Sequence, residues 1–352
     1  MNDFDYVRPG SVAEAIAAAA APGVSYLAAG TNLIDLMKGG ITHPDRLVDV
    51  TRLPGLDRIE HRDDGSVRIG ALVRNADLAH DPDFARAYPF VAEALLSGAS
   101  AQLRNAATVG GNLLQRTRCA YFYDVASACN KRQPGSGCDA RHGENRLHAI
   151  LGWSEACIAT HPSDFCVPLI ALDAMVEIEG RNGKREIALE DLYRLPGDNP
   201  EQDSVLEPGD LIIALRLPPD AGGFAAHARY LKVRERTSYA FAVVSAAAAL
   251  RIERGRITQA RLALGGVAAK PWRARPAEQV LVGAKPEPAI YQQAATAALA
   301  DAKPSGDNAF KIELARRIIV RALTLGAVGT PARVPALPAS PFSIPPGVLQ
   351  HA

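Results

Sequence analysis

Arg104-Asn105-Ala106-Ala107-Thr108-Val109-Gly110-Gly111-Asn112 is followed directly by every cysteine the chain has: Cys119, Cys129, Cys138, Cys157 and Cys166. This juxtaposition decides the reading. Paired glycines let backbone approach a ligand closely, and Thr108 and Asn112 offer hydrogen bonds to a phosphate or a ring edge. A confined set of thiols suits a metal centre. Both in one segment point to a redox protein with two electron-handling groups. Read alone, Thr108 to Asn112 also fits an ordinary tight turn between strands.

The thiols are spaced Cys119-x9-Cys129-x8-Cys138-x18-Cys157-x8-Cys166. Five cysteines in one region of a 352-residue chain do not make a disulfide scaffold, which spreads its cysteines and leaves no odd one. Structural zinc usually shows close Cys-x-x-Cys pairs, and none is present. An iron–sulfur cluster tolerates wide spacings if a loop gathers four thiolates. From Arg116 to His148 six Lys or Arg face three acids, a balance that suits an anionic cluster. Gly135 and Gly137 would free backbone N–H groups for sulfur. The bland alternative is a set of incidental buried thiols. Cys166 follows Ser163-Asp164, which reads as a helix N-cap before the apolar run Val167 to Leu172, so it is expected to be a spectator. His148 and His161 are candidate ligands or ordinary hydrogen-bonded side chains.

Outward from this segment, the first third alternates helix and strand. Ser11 and Glu14 cap an Ala-rich helix over Ala13 to Ala21. Val24 to Ala28 predicts a strand, Ala29-Gly30-Thr31-Asn32 a turn, and Leu33 to Lys38 a short helix. Such a turn would bring N–H groups to a pyrophosphate, helped by the helix dipole, or be a plain strand-to-helix turn. Leu47 to Val50 predicts a strand, and Phe90 to Ser97 a helix. Ile59–His61 with Val67–Ala71, and Met175–Glu179 with Glu186–Leu189, predict hairpins. Gln115 to about Ser163 reads as one long loop, which is unusual unless functional. Leu211 to Leu217 predicts a strand and Asp220-Ala221-Gly222-Gly223 a linker. Strands over Ala240–Glu253 and Arg256–Leu264 and helices over Pro288–Leu299 and Ala309–Leu325 complete a second α+β unit. The Pro-rich tail from Gly329 is expected to be irregular.

Net charge is +1, and no basic run argues for nucleic acid or a membrane surface. No segment reads as transmembrane, and the first residues do not read as a signal peptide. Neither glycine turn is Gly-x-Gly-x-x-Gly, so a Rossmann dinucleotide site is not predicted.

Leu27-Ala28-Ala29-Gly30-Thr31-Asn32-Leu33, Ile69-Gly70-Ala71 and Leu103-Arg104-Asn105-x-Ala107-Thr108-Val109-Gly110-Gly111-Asn112 together resemble the FAD-binding medium subunits of the xanthine dehydrogenase and carbon monoxide dehydrogenase family. The run from Gln115 through Cys129-Asn130-Lys131-Arg132 and Gly135-Ser136-Gly137-Cys138 to Cys157-Ile158-Ala159-Thr160-His161-Pro162-Ser163-Asp164 is similar to the subset whose flavin subunit also carries a 4Fe–4S cluster. Bacterial periplasmic aldehyde oxidoreductases are of this kind. The resemblance covers nearly all of the chain up to about Leu325.

It implies an α+β chain with a two-lobed FAD-binding domain of the PCMH or vanillyl-alcohol-oxidase type over 1–221. The cluster insertion would lie at about 115–163. A smaller α+β domain, like the C-terminal domain of the CO dehydrogenase flavoprotein, would span 224–328, and the tail 329–352. It implies non-covalent FAD held by Leu27, Ala28, Ala29, Gly30, Thr31, Asn32 and Leu33 and by Thr108, Gly110, Gly111 and Asn112. Asp164 would meet ribose or adenine, Ile213 would pack on a ring, and Lys232 would lie near the isoalloxazine. The cluster ligands would be Cys119, Cys129, Cys138 and Cys157, with no catalytic residue in this chain. Partners would be a molybdenum-cofactor large subunit and a 2Fe–2S small subunit. The acceptor would be external, such as ferredoxin, with little use of NAD. The location would be periplasmic, by co-export on a partner's twin-arginine signal, or else cytoplasmic. An aromatic acyl-CoA reductase of the same family, and a zinc-stabilised binding module with no redox role, are the alternatives.

Overall fold

The computed structural model describes residues 1–332; most of the Pro-rich tail lies outside them. Three short strands, Asp5–Val7, Arg46–Asp49 and Val24–Leu27, form a parallel sheet with Arg46–Asp49 in the middle. Parallel strands need crossover connections. Helix Val12–Ala18 provides one; it starts where Ser11 Oγ accepts from the Glu14 N–H at 3.2 Å, and it ends three residues before the predicted Ala21. Helix Leu33–Lys38 lies on the other crossover. Ala15, Ile16 and Val48 bury their side chains against Leu211 and Ile213, joining this lobe to the next.

That second lobe is a five-stranded antiparallel sheet in the order Ile59–His61, Val67–Gly70, Leu211–Leu217, Met175–Gly180, Gly183–Ala188. Both predicted hairpins are present as its edges. Alternation in Met175–Gly180 puts Val176 and Ile178 inside the largest core. Helices Asn75–His80, Pro82–Ala87, Pro89–Ser97, Ala101–Ala106 and Val109–Leu113 complete the lobe. Thr108 to Asn112 is thus the start of a helix, with Thr108 Oγ1 accepting from the Gly111 N–H at 3.3 Å. The segment 115–163 holds helix Ala120–Tyr123, a turn of 3₁₀ helix at Asp139–Arg141 and the isolated antiparallel bridges Cys129–Cys138 and Ser154–Cys157.

Asp220 to Gly223 is not a loose linker. Ala221–His227 forms 3₁₀ turns, and Phe224 is buried beneath the Arg251 guanidinium, 4.7 Å from the ring centre. Beyond it, strands Ala228–Val233, Val244–Glu253, Arg256–Gly265 and Trp272–Arg273 make an antiparallel sheet. The expected strand start at Ala240 comes late, because residues 234–243 form a loop. Helices Arg275–Leu281, Pro288–Ala298 and Phe310–Val328 cover one face with Ala- and Ile-rich sides. Among the described residues, no helix is long and apolar enough to cross a membrane.

Candidate cofactor sites

The three sheets leave between them a cavity of about 1230 Å³, larger than most single-ligand pockets. Its walls come from the loop after strand Val24–Leu27, the start of helix Val109–Leu113, the segment 160–164, and the loop beyond strand Ala228–Val233. The first loop lies at the carboxyl end of a parallel strand, where open sheets bind ligands. Gly30 has φ +73°, and a Cβ there would meet Ile34 Cγ1 at 2.8 Å, so this turn requires glycine. Gly110 is needed for packing: its N–H donates to the Ala71 carbonyl at 2.9 Å, and a Cβ would meet that residue at 2.9 Å. The two helices that follow these turns have only six and five residues, so they offer N–H groups rather than a sizeable dipole.

Ala28, Ala29, Gly30, Thr31, Asn32, Leu33, Thr108, Gly110, Gly111, Asn112, Asp164 and Lys232 all line this cavity. Leu27 and Ile213 do not. Leu27 ends the strand, and Ile213 turns into the N-terminal core while its neighbour Ile212 faces the cavity. Asp164 and Lys232 were expected at different parts of the cofactor, but they form one buried pair at 2.7 Å. Tyr230 Oη donates to the second Asp164 oxygen at 2.5 Å, and Lys232 Nζ also donates to the Ser97 carbonyl at 3.2 Å. The pair therefore meets a single end of any extended ligand.

The cavity also gathers polar residues from distant parts of the chain, His148 and His161 among them. Asn75, Arg118, His161 and Ser245 line it, and each has a buried polar atom without a partner, as do Asn32 and His148. Buried polar groups are rarely left unpaired, and so many around one space mark a polar ligand's place. A dinucleotide with phosphates, ribose and two ring systems fits that donor and acceptor set. Burial also lowers His161 to about 4, so it is neutral at pH 7; its Nδ1 accepts from the Ser163 N–H at 3.3 Å, which leaves Nε2–H as the donor. Asn75 and Ser245 gave no motif; only their burial reveals them.

A second, small cavity lies beside the first. Cys119, Cys129, Cys138 and Cys157 all line it, with mostly apolar neighbours such as Phe122, Ala140 and Ile158. The Ala159 N–H donates to Cys157 Sγ at 3.5 Å, and backbone N–H groups near Cys119 and Cys138 act to lower their thiols. Burial outweighs these bonds, pushing Cys119 up to about 12 and raising Cys138 and Cys157. Such thiols are poor nucleophiles at neutral pH and ionise on a metal instead. The expected donors Gly135 and Gly137 are not used this way: Gly137 N–H donates to Asn130 Oδ1 at 2.8 Å, and both glycines serve turns with φ of +83° and +99°. The local basic excess is paired off with acids from elsewhere: Lys131 and Arg116 with Asp203, Arg141 with Glu155, Arg146 with Glu235. The Asp203 and Glu235 pairs stitch the long segment to the body, and the Glu155 pair closes it on itself. Among the described residues, no group of three or more His, Cys, Asp or Glu is set to hold a metal ion, so the four cysteines share a cavity without forming a single-ion site.

Cys166 lies apart. It opens helix Cys166–Ala171 in the main core, where Ser163 Oγ accepts from its N–H at 3.3 Å and its Sγ lies 3.1 Å from Tyr193 Oη.

Comparison with known proteins follows this division. Residues 2–220 match the family model described as FAD binding domain in molybdopterin dehydrogenase, and residues 229–325 match the CO dehydrogenase flavoprotein C-terminal domain. The chain is 51% identical to the aldehyde oxidoreductase FAD-binding subunit PaoB of Escherichia coli, over 92% of this chain and 98% of that one. It is 28% identical to the carbon monoxide dehydrogenase medium chain of Hydrogenophaga pseudoflava, over 91% and 96% of the two chains. A solved structure of carbon monoxide dehydrogenase from the same organism superposes with a TM-score of 0.73 at 26% identity, covering 93% of this chain and 98% of that one.

Proposed function

Since the chain belongs to the family of FAD-binding subunits of molybdopterin dehydrogenases, we propose that it is the electron-transfer subunit of an aldehyde-oxidising molybdenum hydroxylase. The observation that carries this reading is the 51% identity to an aldehyde oxidoreductase subunit over 92% of the chain. When bound, FAD would take electrons delivered by molybdenum and 2Fe–2S partner subunits and hand them to an external acceptor such as ferredoxin. The chain's own residues do the holding. The Ala28–Leu33 loop and the Thr108–Asn112 helix start offer backbone and side-chain donors, and the Asp164–Lys232 pair fixes charge at one end of the cavity. No His or Cys lies within the two turns, so the flavin is held without a covalent bond.

The small cavity supports a 4Fe–4S cluster on Cys119, Cys129, Cys138 and Cys157. A zinc ion would need its thiolates about 2.3 Å from one point. Four thiols lining one shared cavity suit a polynuclear centre, which takes four thiolates at wide sequence spacing. Such a cluster would supply one-electron capacity beside the flavin. The FAD unit is placed at 1–221, with the insertion at about 115–163, and the second unit at 224–328. Periplasmic location by co-export with a partner belongs to the same proposal, and fractionation of cells with and without the partners tests it. The main test is an absorption spectrum of the purified complex with iron, sulfide and acid-released FAD counted per chain. The reading expects both cofactors and aldehyde-dependent dye reduction. A colourless complex overturns it, and flavin without iron removes the cluster part.

A further inference from the structure

Among the described residues, Cys119 is the one cysteine of the four that faces both cavities. The wall between them is thin here, since Thr117 also borders each. Against this thiol, from the flavin side, stands His148: its Nε2 lies 3.2 Å from Cys119 Sγ. The imidazole is buried, and its Nδ1 has no partner. The sulfur is its one side-chain polar contact, and the Asn145 backbone is the other polar group beside the ring. The backbone of His148 is fixed from three sides. Its N–H donates to the Asn145 carbonyl at 2.9 Å, and its carbonyl accepts from Asn308 Nδ2 at 3.0 Å and Lys311 Nζ at 2.8 Å. The last two belong to the second domain, so the ring is clamped against the thiol across a domain boundary.

A ring nitrogen left unpaired in a dry site costs free energy, about 1–3 kcal/mol for a buried polar group. Simple packing would be served better by Leu. A ligating thiolate accepts hydrogen bonds only, so the nitrogen facing it must carry the proton. We propose that His148 is a positioning residue for the metal-bound Cys119 thiolate, its Nε2–H donating to Sγ and holding the cluster's reduction potential up from the flavin side. This rests on the reading that the four cysteines bind a 4Fe–4S cluster. A hydrogen bond to a ligating sulfur draws off negative charge and favours the reduced cluster, which carries one more electron. His148 is then the side chain through which the flavin wall and the cluster are mechanically and electrostatically joined.

The test uses the complete complex and its His148→Leu and His148→Gln variants. Each is titrated potentiometrically, with the reduced cluster followed by electron paramagnetic resonance and iron and FAD counted. At the wild-type midpoint, the reduced-to-oxidised ratio should fall about tenfold in His148→Leu, equivalent to about 59 mV for a one-electron couple. His148→Gln, which keeps an N–H donor of similar reach, should recover most of it. The cluster potential should move more than the flavin potential, which the same titration reads. Pulsed resonance of the wild type with isotope-labelled histidine should show coupling to one nitrogen, and this measurement stands even where a variant loses its cluster. An unchanged potential in His148→Leu, no recovery in His148→Gln, or no histidine coupling overturns the role of His148. A wild-type complex without iron overturns the cluster reading beneath it, which the iron count reports separately.

Discussion

The two cavities are built by opposite means. The large one is walled by three separate sheets and keeps its polar atoms waiting: Asn32, Asn75, Arg118, His161 and Ser245 each hold one buried and unpaired. The small one is made by a single irregular segment, and backbone N–H groups already act on its sulfurs from within. The first is a site that its ligand completes, held open by rigid elements. The second is a loop in which, on the proposed reading, a cluster joins the ion pairs as an organising centre. The segment has one four-residue helix, one 3₁₀ turn and two isolated bridges, and ion pairs to Asp203 and Glu235 tie it to the body. Loss of the cluster should therefore loosen the segment but leave the sheets standing.

The largest effect expected is on the small cavity. Cys157→Ser removes a buried thiol that the Ala159 N–H bonds at 3.5 Å. Iron should fall to background in this variant, and the segment should become sensitive to protease. FAD should remain in part, because the Ala28–Leu33 loop, the Thr108–Asn112 helix start and Lys232 lie outside the segment, while Glu144, Arg146, Leu147, His148 and Thr160 to Ser163 within it also line the large cavity. Loss of FAD together with iron would break the comparison, showing that the two sites fold as one unit.

On the flavin side, Lys232→Met should cost the most. Lys232 and Asp164 are both buried, and their pair spans strand Ala228–Val233 and the segment before helix Cys166–Ala171. Removing one partner of a buried ion pair leaves the other charge stranded, typically at about 3–5 kcal/mol. Denaturant unfolding should show a loss of this order, and flavin should be released more readily. Asp164→Asn combined with Lys232→Met should recover part of the stability, since no charge is then stranded. Iron retained throughout would sharpen the contrast between the sites.

A smaller effect is tied to acid. Burial raises the Asp49 carboxyl, but hydrogen bonds from Thr51, Tyr6 and Arg8 outweigh it and bring it down to about 2. A carboxyl depressed in the folded state stabilises above its ordinary pKa, near 4, and loses that contribution as pH falls through the folded value. The shift sets an upper bound of about 2 kcal/mol at neutral pH, reduced by solvent screening. Asp49→Asn should lose up to that much at pH 7, and its stability should fall less between pH 4 and pH 2 than that of the parent. Urea unfolding at several pH values, followed by circular dichroism, checks this. Asp49 ends the central strand of the flavin lobe, beside the cavity residue Val50, so an equal acid response in the variant would put the weak point elsewhere.

The contrast also explains what could be read from the chain. The hairpins, the Leu211–Leu217 strand and the Leu33–Lys38 helix were legible because alternation, turn residues and short apolar runs are local signals. So was the cysteine segment, because its chemistry is written in one stretch. The partners of that segment were not: Asp203 and Glu235, which balance Arg116, Lys131 and Arg146, are set by the fold. The large cavity was half legible. Its two turns carry glycines, yet Asn75, His161 and Ser245 come from three distant places and look like any buried polar residue. Asp164 and Lys232 were singled out separately, but only folding makes them one pair. Asp220 to Gly223 misled because small residues suit both a linker and the tight 3₁₀ turns that cap Phe224.

The smallest effect belongs to Cys166, and it tests where the boundary of the cysteine site falls. Its thiol is fully buried in the main core, with burial raising it to about 11, and it touches Tyr193 rather than the other four sulfurs. Cys166→Ala removes one small buried atom and one weak sulfur contact. Tyr193 Oη keeps its bond to the Leu113 carbonyl at 3.0 Å, so no buried polar group is orphaned. The cost should be about 1 kcal/mol, within the range for a minor core truncation. Iron, FAD and the resonance of the reduced cluster should match the parent. Cys119→Ala is the paired measurement, since Cys119 borders the small cavity and should take the iron with it. Iron lost from Cys166→Ala but kept in Cys119→Ala would reverse the assignment: the cluster would then reach into the sheet core, and the two ways of building a cavity would no longer be separate.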